Sequence, residues 1–162
     1  MTEATKTQKI LVIDDEPSTL NMLRLLLGAY GYTVFTADSG EKGLEIFQQE
    51  SPAIVLTDIR MPGMDGLEVL KRLKQVDANV EVVVITGHGD IELAISALQL
   101  DASDFINKPI QKQALEVALR RAQEKIGLRK QVADYTDNLE AKVEAATADL
   151  ARSSHQIETL YE

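Results

Sequence analysis

The chain has 162 residues, with 17 basic against 26 acidic side chains, a formal charge of −9 and no cysteine. That balance repels a phosphate backbone, so this segment is not expected to bind nucleic acid. The missing cysteine removes disulfides, thiol nucleophiles and thiolate metal sites together. No apolar run approaches the ~20 residues that span a bilayer. Residues 1–8 are polar and lack a signal-peptide core, so a disordered tail and a cytoplasmic, membrane-free chain are expected.

From Lys9 to about Lys125, short apolar runs alternate with amphipathic stretches. Ile10-Leu11-Val12-Ile13 reads as a first strand. It is followed by a helical face of Leu20, Leu23, Leu27 and Tyr30 that Gly31 stops. Thr33 to Ala37 is a more mixed strand, suited to a position near an edge. Leu44 and Phe47 share the next helical face, with Asp38 or Ser39 as its cap. Ile54-Val55-Leu56 is a third strand, and Leu67, Leu70 and Leu73 form a stripe after Gly66. Val82-Val83-Val84-Ile85 is a fourth strand. Ile91, Ala94, Ile95 and Leu98 make the helical stripe after it, opened by Asp90. Asp104 to Asn107 is a fifth short strand, and Leu115, Ala118, Leu119 and Ala122 mark a fifth helix.

Continuously apolar strands suit burial on both faces, as in parallel sheets. Five strand–helix units therefore predict an α/β fold, a five-stranded parallel sheet joined by right-handed crossovers. In such a sheet, functional groups gather beyond the C-terminal strand ends, where strand order reverses.

The last third differs. After Pro109 there is no proline, and apolar positions run Leu128, Val132, Tyr135, Leu139, Val143, Ala146, Leu150, Ser153, Ile157 and Leu160. Steps of four and three are those of a coiled-coil seam, with one extra four from Leu139 to Val143. Gly127 reads as a kink or joint. The predicted division is a globular domain over 9–126 and a helical coiled-coil linker over 127–162 that leads toward an output domain.

The strand ends carry the chemistry. Asp14-Asp15 follows the first strand, Asp58 the third, Thr86 the fourth and Lys108-Pro109 the fifth. On a parallel sheet these converge on one rim. Three carboxylates there repel one another unless a cation neutralises them. Hard oxygen ligands suit Mg²⁺, which favours a site completed by phosphate oxygens. A metal, a lysine, a hydroxyl and a free carboxylate are the parts of a phosphoryl-transfer site.

Asp14-Asp15, the segment Asp58-Ile59-Arg60-Met61-Pro62-Gly63-Met64-Asp65-Gly66, Thr86 and Lys108-Pro109 together resemble the signature of response-regulator receiver domains, over roughly Lys9 to Lys125. The resemblance implies a (βα)5 flavodoxin-like fold in a two-component system. Asp58 would accept a phosphoryl group from a sensor histidine kinase or phosphotransfer protein. Asp15, Asp58 and the backbone carbonyl of Arg60 would ligate Mg²⁺, with Asp14 acting through water. Lys108, set by a cis bond to Pro109, would pair with the phosphoryl group. Thr86 and Phe105 would form the switch, the aromatic turning inward as the hydroxyl moves. Such a domain is not a turnover enzyme and catalyses only its own phosphorylation and dephosphorylation.

The C-terminal stripe resembles the dimeric helices that join receivers to other modules, so a homodimer is expected through it. Two other function classes are weighed against this. A Mg²⁺-dependent phosphohydrolase with an Asp58 nucleophile would usually carry a second aspartate two residues on, where Arg60 stands. A non-phosphorylated structural adaptor would have no use for the complete site. His88 reads as an exposed loop residue beside the site, and His155 as a coil position without the proline and acidic residue of a kinase phosphoacceptor.

Overall fold

A computed structural model describes the chain over residues 8–161, with side chains over 8–150. The tail over residues 1–7, and the side chains of Ser153, His155, Ile157 and Leu160, lie outside the described residues. The elements are β1 (Lys9–Ile13), α1 (Pro17–Ala29), β2 (Thr33–Ala37), α2 (Gly40–Glu50), β3 (Ile54–Asp58), α3 (Gly66–Val76), β4 (Glu81–Thr86), α4 (Ile91–Gln99), β5 (Asp104–Asn107) and α5 (Lys112–Tyr161). All neighbouring strands pair parallel, in the order β2-β1-β3-β4-β5. This is the flavodoxin-like arrangement, and its strand order reverses beside β1 and β3.

Side chains alternate across the strands, and the two sets build two cores. Leu11, Ile13, Val55, Val82 and Val84 belong to one cluster with Phe47 of α2, Val69, Leu70 and Leu73 of α3, and Ala97 of α4. Their neighbours Ile10, Val12, Ile54, Leu56, Val83 and Ile85 face the other way and are equally buried. Leu23 and Leu27 of α1 and Leu115, Ala118, Leu119 and Ala122 of α5 are buried as well. The hydrogen bonds Tyr30 Oη to Glu116 and Gln123 Nε2 to Tyr32 Oη tie the connection after α1 to α5. Burying each large aliphatic side chain contributes about 1.5–3 kcal/mol, which is why the uninterrupted apolar runs become the central strands. The mixed segment Thr33–Ala37 takes an edge.

Caps set the helix starts near the site. Ser39 Oγ accepts from Lys42 N at 3.2 Å, and Asp65 Oδ1 accepts from Glu68 N at 2.9 Å. Asp90 occupies the cap position of α4 yet its side chain makes no capping hydrogen bond.

The stripe expected to bury α4 is corrected by the structure. Ala94 and Ala97 are buried and Leu93 packs on the core, while Ile91, Ile95 and Leu98 are exposed. The helix is apolar on two faces, and the alanines permit the close approach to the sheet.

The chain divides into two units, Met1–Glu124 and Lys125–Glu162. Helix α5 is helical from Lys112 to Tyr161, Gly127 included. Among the described residues, no helix is long and apolar enough to cross a membrane.

Candidate functional site at the C-terminal rim of the sheet

The pairing register brings the strand ends level. Ile13 pairs with Thr57, Asp58 with Ile85, and Thr86 with Asn107. Backbone bonds continue the ladder one residue into the loops. Ile59 N donates to Ile85 O at 3.0 Å, Lys108 N to Thr86 O at 2.7 Å, and Asp14 N to Ala37 O at 3.1 Å. Asp14, Asp58, Thr86 and Lys108 are thus anchored by main chain at the strand ends.

One carboxylate oxygen from each of Asp14, Asp15 and Asp58 lies within 4.8 Å of the other two. Lys108 Nζ donates to Asp58 Oδ2 at 2.9 Å and stands 3.7 Å from Asp14 Oδ2. The other Asp58 oxygen, Oδ1, faces the backbone N–H of Arg60 at 3.4 Å. Asp14 is 0 % exposed, and its Oδ1 accepts from Glu16 N at 2.9 Å. Its Oδ2 has no hydrogen-bond donor. Burial raises the Asp14 carboxyl from 3.8 to about 6, with Asp58 and Asp15 adding to the rise and the Glu16 amide and Lys108 opposing it. For Lys108, burial alone would lower the pKa. The hydrogen bond to Asp58 and the charges of Asp14, Asp58 and Glu16 outweigh burial and raise it.

A buried carboxylate oxygen with no donor, inside a cluster of hard oxygens, is the chemistry a divalent cation satisfies. These residues fit Mg²⁺. Without metal, folding takes up a proton at Asp14 between about pH 4 and 6, so its ionisation costs the native state about 3 kcal/mol above that window. Asp14→Asn is therefore expected to melt close to wild type near pH 4 and several degrees higher at pH 7 in chelator. Added Mg²⁺ should raise the wild-type melting temperature at pH 7 and narrow that gap. Scanning calorimetry at the two pH values checks it, and an Asp14→Asn protein less stable at pH 7 would refute the buried charge cost.

Thr86 is buried, and its hydroxyl donates to Asn107 Oδ1 at 2.8 Å and Ile106 O at 3.4 Å. It is held by β5 at this stage. Phe105, the other expected switch residue, is partly buried and packs against the core cluster. The Lys108–Pro109 bond is cis. His88 is exposed. Gly66 opens α3 directly under the end of β3. Its N–H donates to Ile59 O at 2.8 Å, and a Cβ there would lie 2.3 Å from Asp58 O.

The response regulator receiver domain family model matches residues 10–120. The chain belongs to the response-regulator receiver family. The receiver is similar to the C4-dicarboxylate transport transcriptional regulatory protein DctD of Pseudomonas aeruginosa, 43 % identical over 117 residues, covering 72 % of this chain and 25 % of that protein. It is 33 % identical over 114 residues to sporulation initiation phosphotransferase F of Bacillus subtilis, covering 70 % of this chain and 92 % of that protein. A solved receiver domain from Clostridium thermocellum matches with a TM-score of 0.71 and 36 % identity, over 77 % of this chain and 98 % of that one. The chain spans about a quarter of the length of the first curated relatives it matches.

The receiver brings Asp14, Asp15, Asp58 and Lys108 together as the motif spacing implied, with the Arg60 main chain beside Asp58. Sequence reasoning missed three side-chain partnerships of this receiver. Asn107 holds the Thr86 hydroxyl, Asp14 shares Lys108 with Asp58, and the Arg60 guanidinium pairs with Asp90. Asn107 stands one residue before Lys108, which was the available signal. Asp90 was visible only as a helix cap.

Proposed function

We propose that this receiver takes a phosphoryl group on Asp58 from a phosphohistidine of a sensor histidine kinase or phosphotransfer protein, and relays that event through a dimeric C-terminal helix. The observation that carries the reading is the Asp58 carboxylate paired to Lys108 at 2.9 Å beside two further carboxylates. An Asp58 oxygen attacks phosphorus, the P–N bond to the donor imidazole breaks, and its electron pair leaves with the ring. Lys108, already on one Asp58 oxygen, stays close enough to pair with the new phosphoryl oxygens. Asp15, Asp58 and the carbonyl of Arg60 would hold Mg²⁺, with Asp14 acting through water, and the bound ion would offset the negative charge that gathers at the rim. Hydrolysis of the acyl phosphate returns Asp58, so the domain catalyses only its own phosphorylation and dephosphorylation.

The phosphoryl dianion then competes with Asn107 for the Thr86 hydroxyl. Moving that hydroxyl leaves space toward which Phe105 can turn, a two-state element biased by a local charge.

Relay through a dimer is supported by the second unit. Leu128, Val132, Tyr135, Leu139, Val143 and Leu150 recur at steps of three, four or seven and are all exposed. Such a stripe is the surface a second helix covers in a coiled coil. Light scattering with and without beryllofluoride and Mg²⁺, on this chain and on Asp58→Asn, tests the relay. A mass that doubles with beryllofluoride only in the wild type would show phosphorylation-driven assembly. A dimer in every condition would make the helix a permanent tether that changes geometry. A monomer throughout would refute the dimeric relay.

A further inference from the structure

Asp90 is a buried acid that the phosphoryl chemistry leaves unused. It is 5 % exposed, and both of its oxygens are engaged outside its own helix. Oδ1 accepts from Arg60 Nε at 2.7 Å, and Oδ2 accepts from Gly87 N at 3.2 Å. Arg60 stands two residues after Asp58, and Gly87 directly follows Thr86. One carboxylate therefore ties the acceptor loop, the hydroxyl loop and the first turn of α4 together. The backbone reinforces the knot, since Asp90 N donates to Gly87 O at 3.3 Å and Ala94 N to Asp90 O at 3.0 Å.

The two partners differ in freedom. Asp90 is enclosed, while the Arg60 side chain is 70 % exposed. Its guanidinium can leave without crossing packed protein. A phosphoryl group on Asp58 replaces the single carboxylate charge with close to two, within two residues of it. Guanidinium pairs with phosphoryl oxygens through parallel N–H donors, a geometry that the single Nε bond to Asp90 does not use. When Arg60 leaves, Asp90 remains as a buried carboxylate short of its cation, which is costly. The relief open to it is loosening of the α4 start, where Gly89 at φ +86° already bends the chain.

We propose that Arg60 and Asp90 form an exchangeable ion pair that latches α4, with Arg60 sensing the phosphoryl group and Asp90 the positioning residue that holds it beforehand. Arrival of the phosphoryl group draws Arg60 from Asp90 and loosens the first turn of α4. The exposed Ile91 and Ile95 are carried on that moving turn and the next. The inference rests on Asp58 being the acceptor.

Amide hydrogen exchange over α4 tests it, on wild type, Asp90→Asn, Arg60→Gln and the double variant, each with and without beryllofluoride and Mg²⁺. Asp90→Asn keeps an oxygen for Gly87 N while replacing the charged acceptor that faces Arg60 with an amide NH2, and Arg60 is exposed enough for the glutamine protein to fold. In wild type, beryllofluoride should speed exchange in the first turn of α4 by at least about fivefold. Both single variants should show the faster rate without beryllofluoride, gain little on its addition, and match the double variant. A wild type that takes up beryllofluoride while α4 exchange stays unchanged would overturn the latch, as would variants that respond as wild type does. Failure of wild type to take up beryllofluoride, seen in its ¹⁹F spectrum, would overturn the acceptor reading and the latch together.

Discussion

Asp58→Asn is expected to slow phosphoryl incorporation by at least about a thousandfold, or about 4 kcal/mol of transition-state stabilisation, while the fold persists. The amide has the carboxylate's shape and can still accept from Lys108, so the 2.9 Å contact has a replacement. What it lacks is the nucleophilic oxygen anion. The change also removes one of the charges that raise the Asp14 carboxyl, so Asp14 should titrate lower in this variant. Mg²⁺ should bind more weakly, since one of three converging carboxylates is lost. Incorporation from acetyl phosphate, followed by intact mass, and an NMR titration of the Asp14 carboxyl check both halves. Labelling that survives the substitution would place the acceptor elsewhere.

Gly66→Ala should be the most damaging one-methyl change near the site. The added Cβ would lie 2.3 Å from the Asp58 carbonyl oxygen and 2.7 Å from Ile59 Cα, and both are main-chain atoms that no rotamer can clear. Overpacking of this kind costs about 3 kcal/mol, which for a domain of this size lowers the melting temperature by roughly 6–12 °C. Relief requires α3 and the 58–59 backbone to separate, which moves Asp58 relative to Lys108. Phosphorylation should therefore slow as well. Gly28→Ala is the control, because nothing lies within 4 Å of a Cβ in α1 there and helix propensity should contribute up to about 1 kcal/mol of stability. Thermal melts and acetyl phosphate rates on the two proteins separate a local clash from a general effect of losing glycine. Equal melts would refute the close approach.

These two predictions draw on different depths of the sequence. The cluster of Asp14, Asp15, Asp58 and Lys108 was legible because its residues stand at strand ends. Once Ile10–Ile13, Ile54–Leu56 and Val82–Ile85 are recognised as buried strands, Asp14, Asp15, Asp58, Thr86 and Lys108 must share a rim. The central sheet was legible for the same reason, since burial on both faces leaves an uninterrupted apolar run. Helix α4 was not. Ile91, Ile95 and Leu98 have the spacing of a core stripe, yet Ala94 and Ala97 are the residues that meet the sheet. Periodicity finds an apolar face but does not choose between two. Nor could spacing reveal that Arg60 reaches Asp90 thirty positions away, or that Asn107 holds Thr86. Those bonds depend on side-chain direction at loop ends, which the register of the finished sheet decides.

The most direct measurement is the intact mass of the wild-type chain after acetyl phosphate treatment, with Mg²⁺ and with chelator in its place. The expected result is the gain of one phosphoryl group with Mg²⁺ alone, mapped by fragmentation to Asp58. A mass unchanged in Mg²⁺, or a phosphoryl group gained equally in chelator, would contradict a magnesium-dependent acceptor at this rim.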